Sequence, residues 1–236
     1  MMKTVILAGG KGTRLLPYTA SFPKPLMPIG DYPILEVIIR QLRRQGFTRV
    51  TISTGHLAQL IEAFFGDGSQ WGISIDYIRE DRPLNTAGAL ELLGPQDEDF
   101  LVMNGDVLTT LDYRALVDEH RSRQASATVA TIRREMTIDF GVLEIADDGS
   151  LAGWQEKPRF AYDVGVGVYV VSEPARALVK PGEALGMPDL LLRVKEQGGL
   201  VHCFQADSEW LDIGRDDDYR RAQEIFSAAE SRYLAE

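Results

Sequence analysis

Cysteine is almost missing from this chain: Cys203 stands alone among 236 residues, which excludes an internal disulfide. Histidine is scarce as well, and His56, His120 and His202 are too scattered to give a zinc-ligand spacing. No apolar run approaches the ~20 residues that a membrane helix needs. The opening Met-Met-Lys-Thr-Val-Ile-Leu-Ala-Gly-Gly is too short in apolar residues and too weakly charged for a secretory signal. A basic excess is lacking, and the formal net charge of -10 argues against a nucleic-acid binder. These absences point to a cytoplasmic protein with neither membrane nor nucleic acid as partner. No repeat, low-complexity tract or linker interrupts the chain, so the expectation is one domain over 1–236.

What is present is an alternation of strand and helix signals. Val5 to Ala8 is an unbroken apolar run, the pattern of a strand buried on both faces. Pro33 opens a helical pattern (Ile34, Leu35, Ile38, Ile39, Leu42) that Gly46 stops, with Arg40, Arg43 and Arg44 on its solvated face. "RVTIST" and "ISIDYI" read as strands, with a helix between them ended by Gly66. "TAGALELLG" is a short helix, "FLVMNGD" a buried strand, and about 110–124 a helix. Strands then dominate: "ATVATI", "FGVLEI", "LAGWQE" and "VGVGVYVV", with Asp148-Gly149 as a hairpin turn. A helix, the strand "LVHCF" and a helix from about Asp216 close the pattern. The early alternation implies a mostly parallel central sheet in a Rossmann-like α/β/α sandwich, with a β-rich second half.

The first strand runs into "LAGGKGTRLLPYTASFPKPL", residues 7–26. Ligands of open α/β sheets bind beyond the carboxyl ends of the strands, which is where this stretch lies. A P-loop needs Gly-Lys followed by Ser or Thr, but Lys11 is followed by Gly12. A dinucleotide fingerprint needs a third glycine where Leu15 stands. An anion loop or a structural turn remains. Lys11, Arg14 and Lys24 lie outside any helical period, in a first fifty residues where eight Lys or Arg face two Asp or Glu.

The same stretch resembles the signature of the sugar-phosphate nucleotidylyltransferases, and "PLNTAGAL", "NGD", "FGVLEI", "EKP" and "WLDIGRDDDY" follow in that family's order across nearly the whole chain. The branch it resembles most is that of the mannose-1-phosphate and heptose-1-phosphate guanylyltransferases. The resemblance implies in-line attack of a sugar 1-phosphate oxygen on the α-phosphorus of a nucleoside triphosphate, with pyrophosphate leaving. Arg14 and Lys24 would be catalytic, acting on the phosphates. Leu7, Ala8, Gly9, Gly10, Lys11, Gly12, Thr13, Thr86, Ala87, Gly88 and Asn104 would bind nucleotide, in a half spanning about 1–110. Gly141, Glu156 and Lys157 would bind sugar phosphate, in a half spanning about 111–236. Asp106 and Asp212, each ending an apolar run, would hold Mg2+, which takes one or two carboxylates and fills its octahedron with phosphate oxygens and water.

Several residues take plainer readings. Asp216, Asp217 and Asp218 fit the acidic first turn of a helix. His56 falls in a turn and His202 in a strand, while Trp154 and Trp210 read as core or wall. Gly165 stands where many relatives have a sugar-contacting asparagine, which leaves the sugar open. The ending "AQEIFSAAESRYLAE" reads as a helix, so no hexapeptide-repeat β-helix is expected. "TAGAL" with Gly88 resembles the guanylyl branch, and the resemblance implies GTP with a mannose or manno-heptose 1-phosphate and a position 88 that faces the base. UTP, dTTP or CTP is the alternative. A nucleotide-sugar glycosyltransferase or a nucleotide-sensing module would leave parts of this set unexplained. A homo-oligomer is admitted, not required.

Overall fold

The computed structural model describes residues 2–214 and 216–234, with only the backbone described at 212. The strands are β1 (Thr4–Ala8), β2 (Pro28–Ile29), β3 (Tyr32–Pro33), β4 (Arg49–Thr54), β5 (Ser74–Arg79), β6 (Phe100–Asn104), β7 (Val107–Thr109), β8 (Ala127–Thr137), β9 (Gly141–Ile145), β10 (Leu151–Glu156), β11 (Arg159–Val171), β12 (Val201–Gln205) and β13 (Trp210–Asp212). The helices are α1 (Ile34–Arg44), α2 (Ala58–Phe65), α3 (Asn85–Gly88), α4 (Tyr113–Arg123), α5 (Glu173–Arg176), α6 (Met187–Glu196) and α7 (Asp216–Leu234). Short 3-10 turns, including Thr13–Leu15 and Lys24–Leu26, shape the stretch after β1.

A seven-stranded sheet in the order β12-β8-β11-β6-β1-β4-β5 runs through the molecule. Its β6, β1, β4 and β5 are mutually parallel, and β12 is parallel to β8; β11 is antiparallel to both its neighbours. The unbroken apolar runs follow from burial on both sides. Successive residues of a strand face opposite ways: Ile6, Leu101 and Met103 enter one core with α1, α4 and α7, while Val5, Phe100 and Val102 enter a second with α5 and α6. Helices therefore cover both faces, as the alternation predicts. Local signals set the helix ends. Asp112 accepts the Ala115 N–H as the N-cap of α4, and Arg40, Arg43 and Arg44 lie on the exposed face of α1.

Two regions depart from the sequence reading. Strands β8 and β11 are longer than the apolar segments predict, because beyond Ile132 they continue as a two-stranded ribbon in which Arg133 pairs with Asp163. Trp154 is not a core residue: it is 58% exposed on the β9–β10 hairpin, a separate two-stranded sheet. Trp210 is half-buried and donates its indole N–H to the Val166 carbonyl, the wall position expected. Among the described residues no helix is long and apolar enough to cross a membrane.

Candidate active site

Strand β1 ends at Ala8, and the chain leaves the carboxyl edge of the sheet through Gly9 and Gly10. The amide N–H groups of Gly10, Lys11 and Gly12 donate to no acceptor among the described residues. Gly12 has φ 62°, and its carbonyl accepts the Thr19 hydroxyl at 2.8 Å. Glycine is required here: besides the left-handed backbone, an added Cβ would stand 2.9 Å from the Thr19 methyl. The loop thus presents adjacent N–H donors in the way anion-binding concavities do.

Lys24 is set by the Lys24–Leu26 turn and is 8% exposed, so its charge requires a partner. That partner is the Asp106 carboxylate, delivered from the next strand along, two residues past the end of β6. Gly105 locks this approach, its N–H donating to the Leu7 carbonyl at 2.9 Å. Leu7, Ala8, Gly9, Gly10, Gly12, Arg14, Lys24, Thr86, Asn104 and Asp106 line one cleft of about 360 Å³, together with Pro25, Glu80, Pro83, Asn85 and Gly105. The size suits a small ligand. A larger depression of about 780 Å³ beside α1 is lined by Arg40, Arg43, Arg44 and Trp71, away from the glycine loop and the carboxyl edge.

The residues expected to hold metal are placed only in part. Strand β13 pairs antiparallel with β7 so that Asp212 lies opposite Val107, one residue from Asp106. The side chain of Asp212 lies outside the described residues. Asn104 Oδ1 is buried with no hydrogen-bond partner, an orphaned hard oxygen lining the cleft near Asp106. Among the described residues no cluster of three or more His, Cys, Asp or Glu could hold a metal by itself. An oxygen-only set with few carboxylates suits magnesium, which relies on phosphates and water for its remaining positions.

Other expected residues fall elsewhere. Lys11 and Thr13 are exposed on the loop and do not line the cleft. Gly141, Glu156 and Lys157 come together on the hairpin, where Gly141 pairs with Glu156 across the strands. The Trp154 indole lies over Gly141 and donates to Glu156 Oε2 at 3.2 Å. Lys157 is exposed, with φ 45° at the tight passage into β11. None of the three lines the cleft.

The expectation that position 88 faces the base is overturned. Ala87 and Gly88 are buried, and their N–H groups donate to the Leu185 carbonyl at 2.8 and 3.0 Å. A Cβ on Gly88 would stand 2.3 Å from the Glu183 carbonyl. Gly88 permits close approach of two backbones, while Asn85 and Thr86 face the cleft. Sequence reasoning missed Glu80. It sits in the charged run "REDR", which reads as solvated surface, and its strand gives no sign that it ends at a ligand edge.

The pattern of the family described as Nucleotidyl transferase matches residues 3–228. A UTP--glucose-1-phosphate uridylyltransferase of Synechocystis sp. is 32% identical over 94% of this chain, which spans only 62% of that relative. A D-glycero-alpha-D-manno-heptose 1-phosphate guanylyltransferase of Aneurinibacillus thermoaerophilus is 32% identical over 94% of this chain and 97% of the relative. The crystal structure of HddC from Yersinia pseudotuberculosis complexed with GMP-PN superimposes with a TM-score of 0.74 at 26% identity, covering 96% of this chain and 100% of that one. The chain belongs to the nucleotidyl transferase family, among its sugar-phosphate members.

Proposed function

We propose that this chain joins a nucleoside triphosphate to a sugar 1-phosphate, releasing pyrophosphate, with GTP and a mannose or manno-heptose 1-phosphate as the first choice. The observation that carries the reading is the pair of buried Lys24 and half-buried Asp106 beside the open amides of Gly10 to Gly12 and the guanidinium of Arg14. Uniting two anions calls for positioning and charge stabilisation, with no nucleophilic side chain. The loop amides would hold the β- and γ-phosphates. Arg14, a planar and permanently charged fork, would meet the charge that grows on the leaving pyrophosphate. Lys24 would face the α-phosphate, and Asp106 would keep that lysine charged and aimed. Lys157 and Glu156 would hold the sugar phosphate from the hairpin. Asp106 and Asp212 would hold magnesium, which supplies charge neutralisation on the phosphates.

GTP is favoured by the guanylyltransferase relative that this chain matches over 97% of its length, and by the neighbour bound to GMP-PN. Gly88 contributes nothing to that choice. The uridylyltransferase relative keeps UTP as the second reading. Within the proposal, 1–236 acts as one catalytic unit in the cytoplasm. Pyrophosphate release should be measured for GTP, UTP, dTTP, CTP and ATP against mannose, manno-heptose and glucose 1-phosphates. Release with GTP and a manno-configured partner is expected. Release only with a pyrimidine nucleotide would move the assignment to the second reading, and no release with any pair would remove the activity.

A further inference from the structure

A second pocket, of about 320 Å³, opens beside the cleft and shares Arg14 with it. Three different elements each bring one guanidinium to it: Arg14 from the Thr13–Leu15 turn, Arg134 from β8 and Arg221 from α7. Asp217 and Asp218 of α7 also line it, so three positive charges stand against two negative and leave an excess of one.

These charges do not cancel by pairing. Asp216 and Arg220 of α7 form an ion pair at 2.9 Å. Asp217 and Arg221 have the same four-residue spacing and form none. Among the described residues Arg14, Arg134 and Asp218 have no ion-pair partner either. Arg134 is held instead over the Trp210 indole, 5.4 Å from the ring centroid. That ring is itself fixed, its N–H donating to the Val166 carbonyl at 2.9 Å. A guanidinium on a ring face keeps its charge and its N–H donors.

The same arrangement selects the kind of anion. Trp210 is the one ring among the described lining residues; it carries Arg134 and gives its N–H to Val166, and every other lining side chain but Leu211 is charged. Such a wall suits a small inorganic anion better than a nucleotide. Guanidiniums from three directions suit an anion with oxygens at both ends, as two linked phosphate groups have. An excess of one charge holds that anion without trapping it. A site on a release path needs this balance, because product release limits many enzymes.

Resting on the reading of the neighbouring cleft as a nucleotide site, we infer that this pocket is a station for pyrophosphate on its way out. Arg14 passes the anion from the cleft to Arg134 and Arg221, which act only after it has left the nucleotide.

The test titrates sodium pyrophosphate calorimetrically into protein saturated with a GTP analogue whose β–γ bridge is an NH group, so that the cleft is filled. Wild type should still take up pyrophosphate, about 10-fold or more tighter than inorganic phosphate, since the longer anion reaches a second guanidinium. The double variant Arg134→Gln/Arg221→Gln should weaken that uptake by about 10-fold or more, for loss of hydrogen bonds between charged groups. It should leave the analogue's own dissociation constant largely unchanged. Both side chains are exposed, and retained analogue binding reports an intact fold. No uptake by analogue-filled wild type would overturn the assignment. So would equal affinity for phosphate and pyrophosphate, an unchanged constant in the variant, or an equal loss for analogue and pyrophosphate. Failure of the analogue to bind wild type would count against the proposed GTP site instead. Pyrophosphate titrated alone would then decide on the pocket, which stands if the variant loses that binding and falls if it does not.

Discussion

The cleft proposed for the nucleotide and the hairpin proposed for the sugar phosphate are built by opposite means. In the cleft, charged side chains are fixed by the protein itself: Lys24 by Asp106, and Glu80 by Ser53 and Leu84, all at the edge of strands buried on both faces. On the hairpin, Glu156 is held by an exposed tryptophan and Lys157 stands in solvent, on two strands outside the main sheet. Phe140, Leu143, Ile145, Leu151 and Trp154 are all exposed there. One side is pre-organised by packing. The other carries the groups proposed for the sugar phosphate on a ribbon with little core beneath it, so losses there should show in substrate affinity more than in the chemical step.

The largest effect is expected at the pre-organised side. Asp106→Asn should lower kcat by roughly 100-fold or more, since a neutral amide is a poor magnesium ligand and a weaker partner for Lys24. Lys24 is nearly buried, so a melting curve must accompany the kinetics. A folded variant with near-normal kcat would remove Asp106 from the phosphate site. The hairpin should respond differently. Lys157→Ala should raise the KM for sugar 1-phosphate by about 10-fold with kcat little changed, the mark of a contact equally strong in ground and transition states. An unchanged KM would break the contrast between the two regions.

Gly88→Ala is expected to act on stability alone. With the new methyl against the Glu183 carbonyl, about 1–3 kcal/mol should be lost, lowering Tm while the ratio of kcat/KM between GTP and UTP stays fixed. A shift in that ratio would restore position 88 to the base site. The smallest effect concerns the segment behind it. Hydrogen bonds from Arg193 hold the Glu183 carboxyl at about 2, below its usual 4.5, with the Lys180 N–H adding to the shift. A depressed carboxyl contributes stability that is present above the unfolded value, about 4.5, and lost as pH falls toward 2. The pair is open to solvent, so the contribution is small. Glu183→Gln should show a slightly shallower fall of Tm between pH 5 and 2, and identical slopes would leave that ion pair without effect.

Much of the nucleotide side was legible because its physics is local. An apolar run such as "TVILA" announces a doubly buried strand, and glycines directly after it announce a tight exit at the ligand edge. The Lys24–Asp106 pair spans eighty-two positions and follows from no periodicity; resemblance supplied a separate role for each residue, and the contact between them was not expected. Gly88 shows the limit of such reading. A glycine beside a ligand and a glycine beside another backbone look alike in sequence, and only the path of residues 183–187 tells them apart. Glu80 was hidden for a related reason: charge in an exposed run carries no mark of the cleft it borders. The far ends of β8 and β11 escaped because a strand with both faces in water has no apolar alternation to reveal it.

The measurement closest to the central claim follows the oxygens of the sugar phosphate. Mannose 1-phosphate labelled with 18O at its three non-bridging phosphate oxygens is incubated with the protein, GTP and magnesium, and the products are resolved by mass spectrometry. Attack by a sugar phosphate oxygen on the α-phosphorus predicts that all three labels appear in the nucleotide sugar, with unlabelled pyrophosphate formed in equal amount. Label in pyrophosphate or in free phosphate, or GTP breakdown that does not need the sugar phosphate, would contradict the account.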